Sequence, residues 1–476
     1  MQEEVESTQY TGPKEFVHLH VHSLSSSLDG VPSAEQYADA CIQSGFPAMA
    51  ATEHGHMASF PDMYFAFKKR GLKYIPGCEI YFNDYEQLRR DLDTQGVKQK
   101  GMDVDLKQRI GRNRHMTILC KNATGVANLI KLTTLANKFG FYRKPRIWLE
   151  KLCEYKEGLI VLSGCVNGPV AYEIRLDIDN LIREKKPHPR VADRDLTAVQ
   201  YIKKFKEVFG EDFFMEVQMP CLPDTGLLEN NVAVHDVRVF RKLIELADMY
   251  GIKPVIANDA HYLIREDSYL QRVMMAVDQK TSIYDPNMFQ SQSEEQYLKS
   301  RGDLWATFKN RGYSHKIDNA KFEELCDNTL LIAERCEKPA PDTSPKIPKW
   351  SDIEKGVDAN KKLAEIVYAE LRKRGWDKDT RKWSSDGREV TYAEQVEIEL
   401  NRFIDKGFSS YFLITRDLIQ WGRKQGWPFG PRGSAAGSFV CHLLGIHTLN
   451  SLAWGMSFDR FLASSRGGYM LKTKID

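Results

Sequence analysis

The sequence predicts an α/β protein in which seven short strands alternate with helices and curl into a distorted (β/α)7 barrel, followed by a mostly helical C-terminal region. Three observations carry this. Between Phe16 and His261, β-like runs alternate with amphipathic stretches, the pattern of parallel strands joined by helical crossovers. Residues able to hold a metal fall at or just after the end of run after run, and the C-terminal strand ends of a β/α barrel meet on one face. After His261 the alternation stops and helical periodicity takes over.

The totals allow this size of protein. With 476 residues, 42% hydrophobic and 28% charged, the chain has room for two or three domains with full cores, which excludes a disordered or collagen-like class. The net charge of +2 hides an asymmetry: from Asn401 onward 10 Lys and Arg face 4 Asp and Glu. Such a basic tail is compatible with nucleotide phosphates and equally with a solvated surface. Nine cysteines lie scattered without a C-x-x-C pair, the N-terminus is acidic, and no apolar run approaches the ~20 residues of a membrane span. A reduced, cytoplasmic, soluble protein is expected.

The first run, Phe16 to His22, places histidines at 18, 20 and 22 with apolar residues between them. In a regular strand the side-chain period is two, so all three imidazoles are expected on one face. Imidazole suits zinc, manganese and iron. Further strands are expected at 48–54, 74–82, 114–120, 159–165, 213–219 and 254–261. Helices are expected at Ser33 to Ser44 and Val232 to Tyr250, each closed by the following glycine.

At the strand ends lie His20, His22, Asp29 in the following loop, His54, Glu79, Cys165, Asp259 and His261. His115 is the exception, since it stands near the start of its run. Singly, Glu79 reads as a surface carboxylate, Cys165 as a buried thiol and Asp259 as a turn residue. Their joint placement reads as a metal site.

The runs FVHLHVHSLSSSLDG, ATEH, PGCEIYF, HMTILCKN, FYRKPRI, LSGC and NDAHY resemble, in order and spacing, the polymerase and histidinol phosphatase (PHP) domain, more closely the copy that opens bacterial DNA polymerase III α subunits. The resemblance implies a three-metal cluster on the nine residues just named, with His18 beside the ligands rather than among them. Glu53 departs from the family's usual T-D-H. The resemblance implies Zn2+ or Mn2+ and 3′-5′ exonuclease or phosphoesterase chemistry. A free-standing phosphoesterase and a non-catalytic scaffold are the alternatives.

Two charged insertions, Asn83 to Asn113 and Leu176 to Asp195, read as solvated excursions. Beyond the barrel, Asp327 to Cys336 is expected as a short amphipathic piece, and Pro339, Pro341, Pro345 and Pro348 make Lys338 to Trp350 an extended linker. Leu363 to Leu371 fits one helix, stopped by Gly375. Thr391 and Glu394 have capping-box spacing ahead of another, ended by Gly407. The expected division is 1–270 for the barrel, 271–350 for connecting helices and linker, and 351–476 for the remainder.

Gly430 to Ser438 is a small-residue turn before the apolar helix Phe439 to Leu444, and Arg432 adds a positive charge, so the turn could take a phosphate or serve as a tight helix start. Here YFLITRDLIQWGR, RGSAAGS, LLGI and FDRFL resemble the start of the polymerase III palm. That resemblance implies nucleotide binding at Arg432, Gly433 and Ser434, a first catalytic carboxylate at Asp476, Mg2+, and DNA primer-template and dNTPs as partners. It further implies a proofreading subunit as a possible partner. Because the sequence stops at Asp476, the 476 residues alone are expected not to extend a primer, and a second polypeptide is expected to complete the palm.

Overall fold

The computed structural model describes residues 10–26, 29–84, 111–183, 196–220, 234–288, 293–344, 348–350 and 356–463. Most of both charged insertions, and Asp476, therefore lie outside the described residues. The chain divides into two compact units, Met1–Pro341 and Asp342–Asp476.

The first unit is built on a mixed sheet. Its strands are β1 (Ala48–Ala51), β2 (Lys73–Phe82), β3 (Arg114–Cys120), β4 (Phe141–Tyr142), β5 (Lys144–Ile147), β6 (Leu159–Leu162), β7 (Phe213–Gln218) and β8 (Pro254–Ala257). The order is β4-β5-β2-β3-β6-β7-β8, with β1 also paired to β2. Helices cover its outer face, and their ends follow the sequence: Ser33 and Gln36 form a capping box before Ala34–Ser44, and Gly45 closes that helix at a φ of 72°.

Two expectations are corrected. Residues 16–22 make no regular strand; isolated parallel bridges, His18 to Met49 and Val21 to Ala260, join them to the β1 side and to the segment after β8. The curled sheet is thus bridged across its seam by an extended segment. The second correction concerns direction: β3 is antiparallel to both β2 and β6, so the strands are not all parallel.

Leu19, Ala50, Ile75, Leu119, Leu162 and Val255 fill the inside of the curl. Alternation along each strand sends the intervening residues to the outer layer, where the helices bury them. The helix Asn319–Arg335, longer than the short piece expected at 327–336, packs across one end and adds Ile332 and Ala333 to the inner cluster. Asn328 donates to the carbonyl of Pro254 at the start of β8, and the backbone of Val17 donates to Thr329. That end is plugged; the opposite end is where the polar residues gather.

The second unit is helical around its own core of Leu363, Val367, Val396, Leu400, Phe403 and Phe439. The expected capping box at Thr391 and Glu394 opens the helix Tyr392–Asp405. A small hairpin, β9 (Trp383–Ser385) with β10 (Arg388–Val390), was not anticipated; Asp386 and Gly387 turn it at φ values of 48° and 77°.

Candidate metal centre

The geometry begins with a bend at His20. Val17 and Leu19 point into the curl, so His18 points the other way, between Phe16 and Phe46 at centroid distances of 4.9 and 5.2 Å. Its Nε2 donates to the carbonyl of Lys299 at 2.9 Å, and burial pushes its pKa down to about 4. Three histidines on one face is therefore wrong. The bend resets the alternation, and His20 and His22 turn inward while Val21 packs outside.

Each inward ring is held by its second nitrogen. His20 Nδ1 lies 2.7 Å from Glu216 Oε1, and His22 Nδ1 lies 2.9 Å from Ser26 Oγ. Glu216 also accepts from Thr117 at 2.8 Å, while Ser26 and Ser23 both donate to Glu53. The longer side chain at position 53 thus reaches two serines at once. Both Nε2 atoms are left facing Asp259 Oδ1, at 3.3 and 3.2 Å.

Glu79, at the inner end of β2, is the hub. Its carboxylate is 2.8 Å from His115 Nδ1, 3.6 Å from His20 Nε2, 3.8 Å from His22 Nε2 and 3.7 Å from Cys165 Sγ, and it contacts His54 Nδ1. On its far side His54 Nε2 lies 2.7 Å from Asp29 Oδ2, and His261 Nε2 lies 3.9 Å from the same oxygen. All nine residues named from the strand ends meet in one cluster. Backbone conformation helps: Asp259 adopts a φ of 49°, which its short polar side chain tolerates, and its carbonyl lies 2.8 Å from His261 Nδ1. Gly164 precedes Cys165 at a φ of 85°, and a Cβ there would meet the carbonyl of His115 at 1.9 Å.

Burial and neighbouring charges oppose each other across the cluster. Burial disfavours charge on His20, yet Asp259 and Glu216 push its pKa up to about 10. Burial, followed by His54 and His261, pushes His22 down to about 3, although the two rings are 5.2 Å apart. Burial works to raise Glu79, but His115 and His54 hold it well below the usual carboxylate range. Among the described residues, buried atoms of His20, His22, His54, Glu79 and Asp259 form no hydrogen bond of good geometry and face only one another across the cluster, and Asp29 Oδ1 has no partner. Donors and acceptors this deep and this poorly paired are the setting of a bound ligand. Three overlapping groups fit one: His22, His54 and His261; His20, His22 and Asp259; His54, Glu79 and His115, each with ligand atoms within 4.8 Å of one another. The donor chemistry fits divalent transition metals.

Sequence reasoning missed Glu216 and the link from Ser26 to Glu53. A signal existed for the first, since Glu216 is a lone carboxylate inside the apolar run FFMEV.

In the second unit Arg432, Gly433 and Ser434 are exposed, on a loop whose base is tied down by Glu399. That buried carboxylate accepts from Ser438 Oγ at 2.6 Å, from the backbone N–H groups of Phe439 and Val440 at 2.9 Å each, and from Gln395 at 2.8 Å. Gly437 permits the close approach behind it, because a Cβ would meet the carbonyl of Ser457 at 2.3 Å.

Residues 18–220 match the family model described as the PHP domain, and residues 361–469 match the one described as the bacterial DNA polymerase III alpha NTPase domain. The chain therefore carries a PHP domain followed by a DNA polymerase III alpha segment. Over 461 residues, 95% of this chain, it is 32% identical to the DNA polymerase III subunit alpha of Aquifex aeolicus, covering 35% of that protein. The corresponding subunits of Saccharopolyspora erythraea and Mycobacterium tuberculosis are also 32% identical over 95% of this chain, with 35% and 34% of their lengths covered. The chain corresponds to the N-terminal portion of DNA polymerase III alpha subunits and spans about a third of the length of these relatives.

Proposed function

We propose that the first unit holds two or three metal ions on His20, His22, Asp29, His54, Glu79, His115, Cys165, Asp259 and His261, and hydrolyses phosphodiesters from the 3′ end of DNA. One arrangement carries this reading: eight potential ligands packed around a ninth, Glu79, with three overlapping groups whose ligand atoms lie within 4.8 Å of one another. The mixture of imidazoles, carboxylates and a thiol suits zinc or manganese. Ions bound there would supply Lewis acidity for attack of water on phosphorus.

The residues of the chain do the remaining work. Glu216 and Ser26 fix the rings of His20 and His22 with Nε2 turned to the cluster. The cluster opens into a cleft of about 440 Å³ whose wall includes Asn167 and Arg175, a donor and a cation for phosphate oxygens. For the second unit we propose a part in nucleotidyl transfer, with Arg432, Gly433 and Ser434 meeting the triphosphate of a dNTP, and Asp476 serving as a Mg2+-holding carboxylate. Its support is the family match and the loop anchored by Glu399.

The test sets labelled single-stranded DNA beside a small phosphomonoester, each with zinc, manganese or magnesium. Shortening of the DNA from its 3′ end is expected. Release of phosphate from the monoester alone would replace this reading with a phosphomonoesterase, and no turnover of either would replace it with a scaffold.

A further inference from the structure

The motif FYRKPRI remains unassigned, and it lies at the mouth of the cluster. Its residues form the hairpin of β4 and β5, turned at Arg143 with a φ of 64°. The hairpin reaches the site because β5 pairs in parallel with the end of β2, Arg146 opposite Tyr81. A second cleft, of about 580 Å³, runs from Asp29 and His54 past Tyr81 to Phe141, Arg143 and Lys144. It shares Asp29, His54 and Met275 with the cleft over the cluster, so the two adjoin.

The chemistry of this wall is that of a polyanion track. Arg143 and Lys144 are exposed. Among the described residues neither has a carboxylate partner; Arg143 lies 5.8 Å from the ring centroid of Tyr142 and Lys144 lies 5.4 Å from that of Tyr81. Phe141 beside them exposes 57% of its surface, an apolar ring held in water next to two cations. Among the described residues, Asp278 is the one carboxylate of the cleft outside the cluster, set against two positive charges. Cations that track phosphates beside an open aromatic ring are what single-stranded nucleic acid needs, because every base offers a face to stack.

We propose that this hairpin is a binding track for single-stranded nucleic acid, in which Arg143 and Lys144 pair with backbone phosphates and Phe141 stacks a base, leading the strand's end to the Glu79 cluster. The track gives the proposed hydrolytic site a polymer as its substrate, and to that extent rests on that reading. Binding itself is measured without hydrolysis, so the two can fail separately.

The experiment is fluorescence anisotropy of labelled oligothymidylate, about ten nucleotides long, on the full chain in chelator across a range of salt. Each phosphate contact to a single strand contributes about 0.7 to the slope of log affinity against log salt. Arg143→Ala with Lys144→Ala is expected to weaken binding about tenfold or more and to flatten that slope by about 1.4. Phe141→Ala should weaken binding at least about fivefold with the slope unchanged. The swap Arg143→Lys with Lys144→Arg should retain the slope, which separates loss of charge from loss of fold. Removing the same charge elsewhere, at exposed Lys68 and Lys69, should change neither quantity. Parental affinity and slope in the Arg143 and Lys144 double variant would overturn the track, as would an equal loss in the Lys68 and Lys69 control.

Discussion

His115 Nδ1 lies 2.8 Å from Glu79 Oε1, although His115 opens its strand and Glu79 stands toward the end of its own. The antiparallel pairing of β2 and β3 brings this about, setting Tyr81 opposite His115 and Glu79 opposite Thr117. The apparent exception among the strand-end residues thus follows from one reversed strand. Read as a parallel strand, β3 would have sent its first residues to the plugged end.

Glu216 holds His20 by its second nitrogen, and such partners typically contribute a factor of about 10–100 in metal affinity. Glu216→Gln keeps the size and the contact with Thr117 but removes the charge. Zinc affinity, measured by competition with a chromophoric chelator, is expected to fall within that range while the fold is retained. An unchanged affinity would mean that the ring is held by packing alone.

Gly164→Ala should be far more damaging than its size suggests. The added methyl would enter the carbonyl of His115, and the φ of 85° is strained for any L side chain. A loss of about 3 kcal/mol or more is expected in denaturant unfolding, together with reduced metal uptake, because the substitution displaces both His115 and Cys165.

Asp84 offers a test by pH away from the cluster. Burial pushes its carboxyl up to about 6, partly opposed by the hydroxyl of Tyr201, which donates to it. A folded pKa above the unfolded value means that its stabilising contribution is complete below about 4 and is lost as pH rises through about 6. Asp84→Asn cannot ionise, so its stability relative to the parent should rise across that window. The gain should level off at about 3 kcal/mol near pH 8. Equal stability differences at pH 4 and pH 8, from unfolding midpoints, would contradict this.

The sequence made the fold class readable because apolar runs and capping residues are local signals: β3 was expected at 114–120 and lies there, and Gly45 and Gly251 close their helices. The bend at His20 was not readable, since period two continues through it in the letters FVHLHVH and only the packing of Val17 and Leu19 reveals the break. Strand direction was equally hidden, because β3 carries the same apolar pattern whichever way it runs. The partnership of Glu216 with His20 joins residues 196 positions apart, a relation that no local pattern encodes. The hairpin at Phe141 to Ile147 escaped because one strand is only two residues long and the other, Lys144–Ile147, lacks the apolar run that marks the other four-residue strands.

The central claim is that the residues around Glu79 form a metal centre, and elemental analysis of the intact chain tests it most directly. The protein is purified without chelator, and a second portion is stripped and reloaded with zinc or manganese. About two or three equivalents are expected in both portions, with loading abolished by His20→Ala combined with His22→Ala. Less than about one equivalent as purified, together with no uptake from added zinc or manganese, would contradict the account.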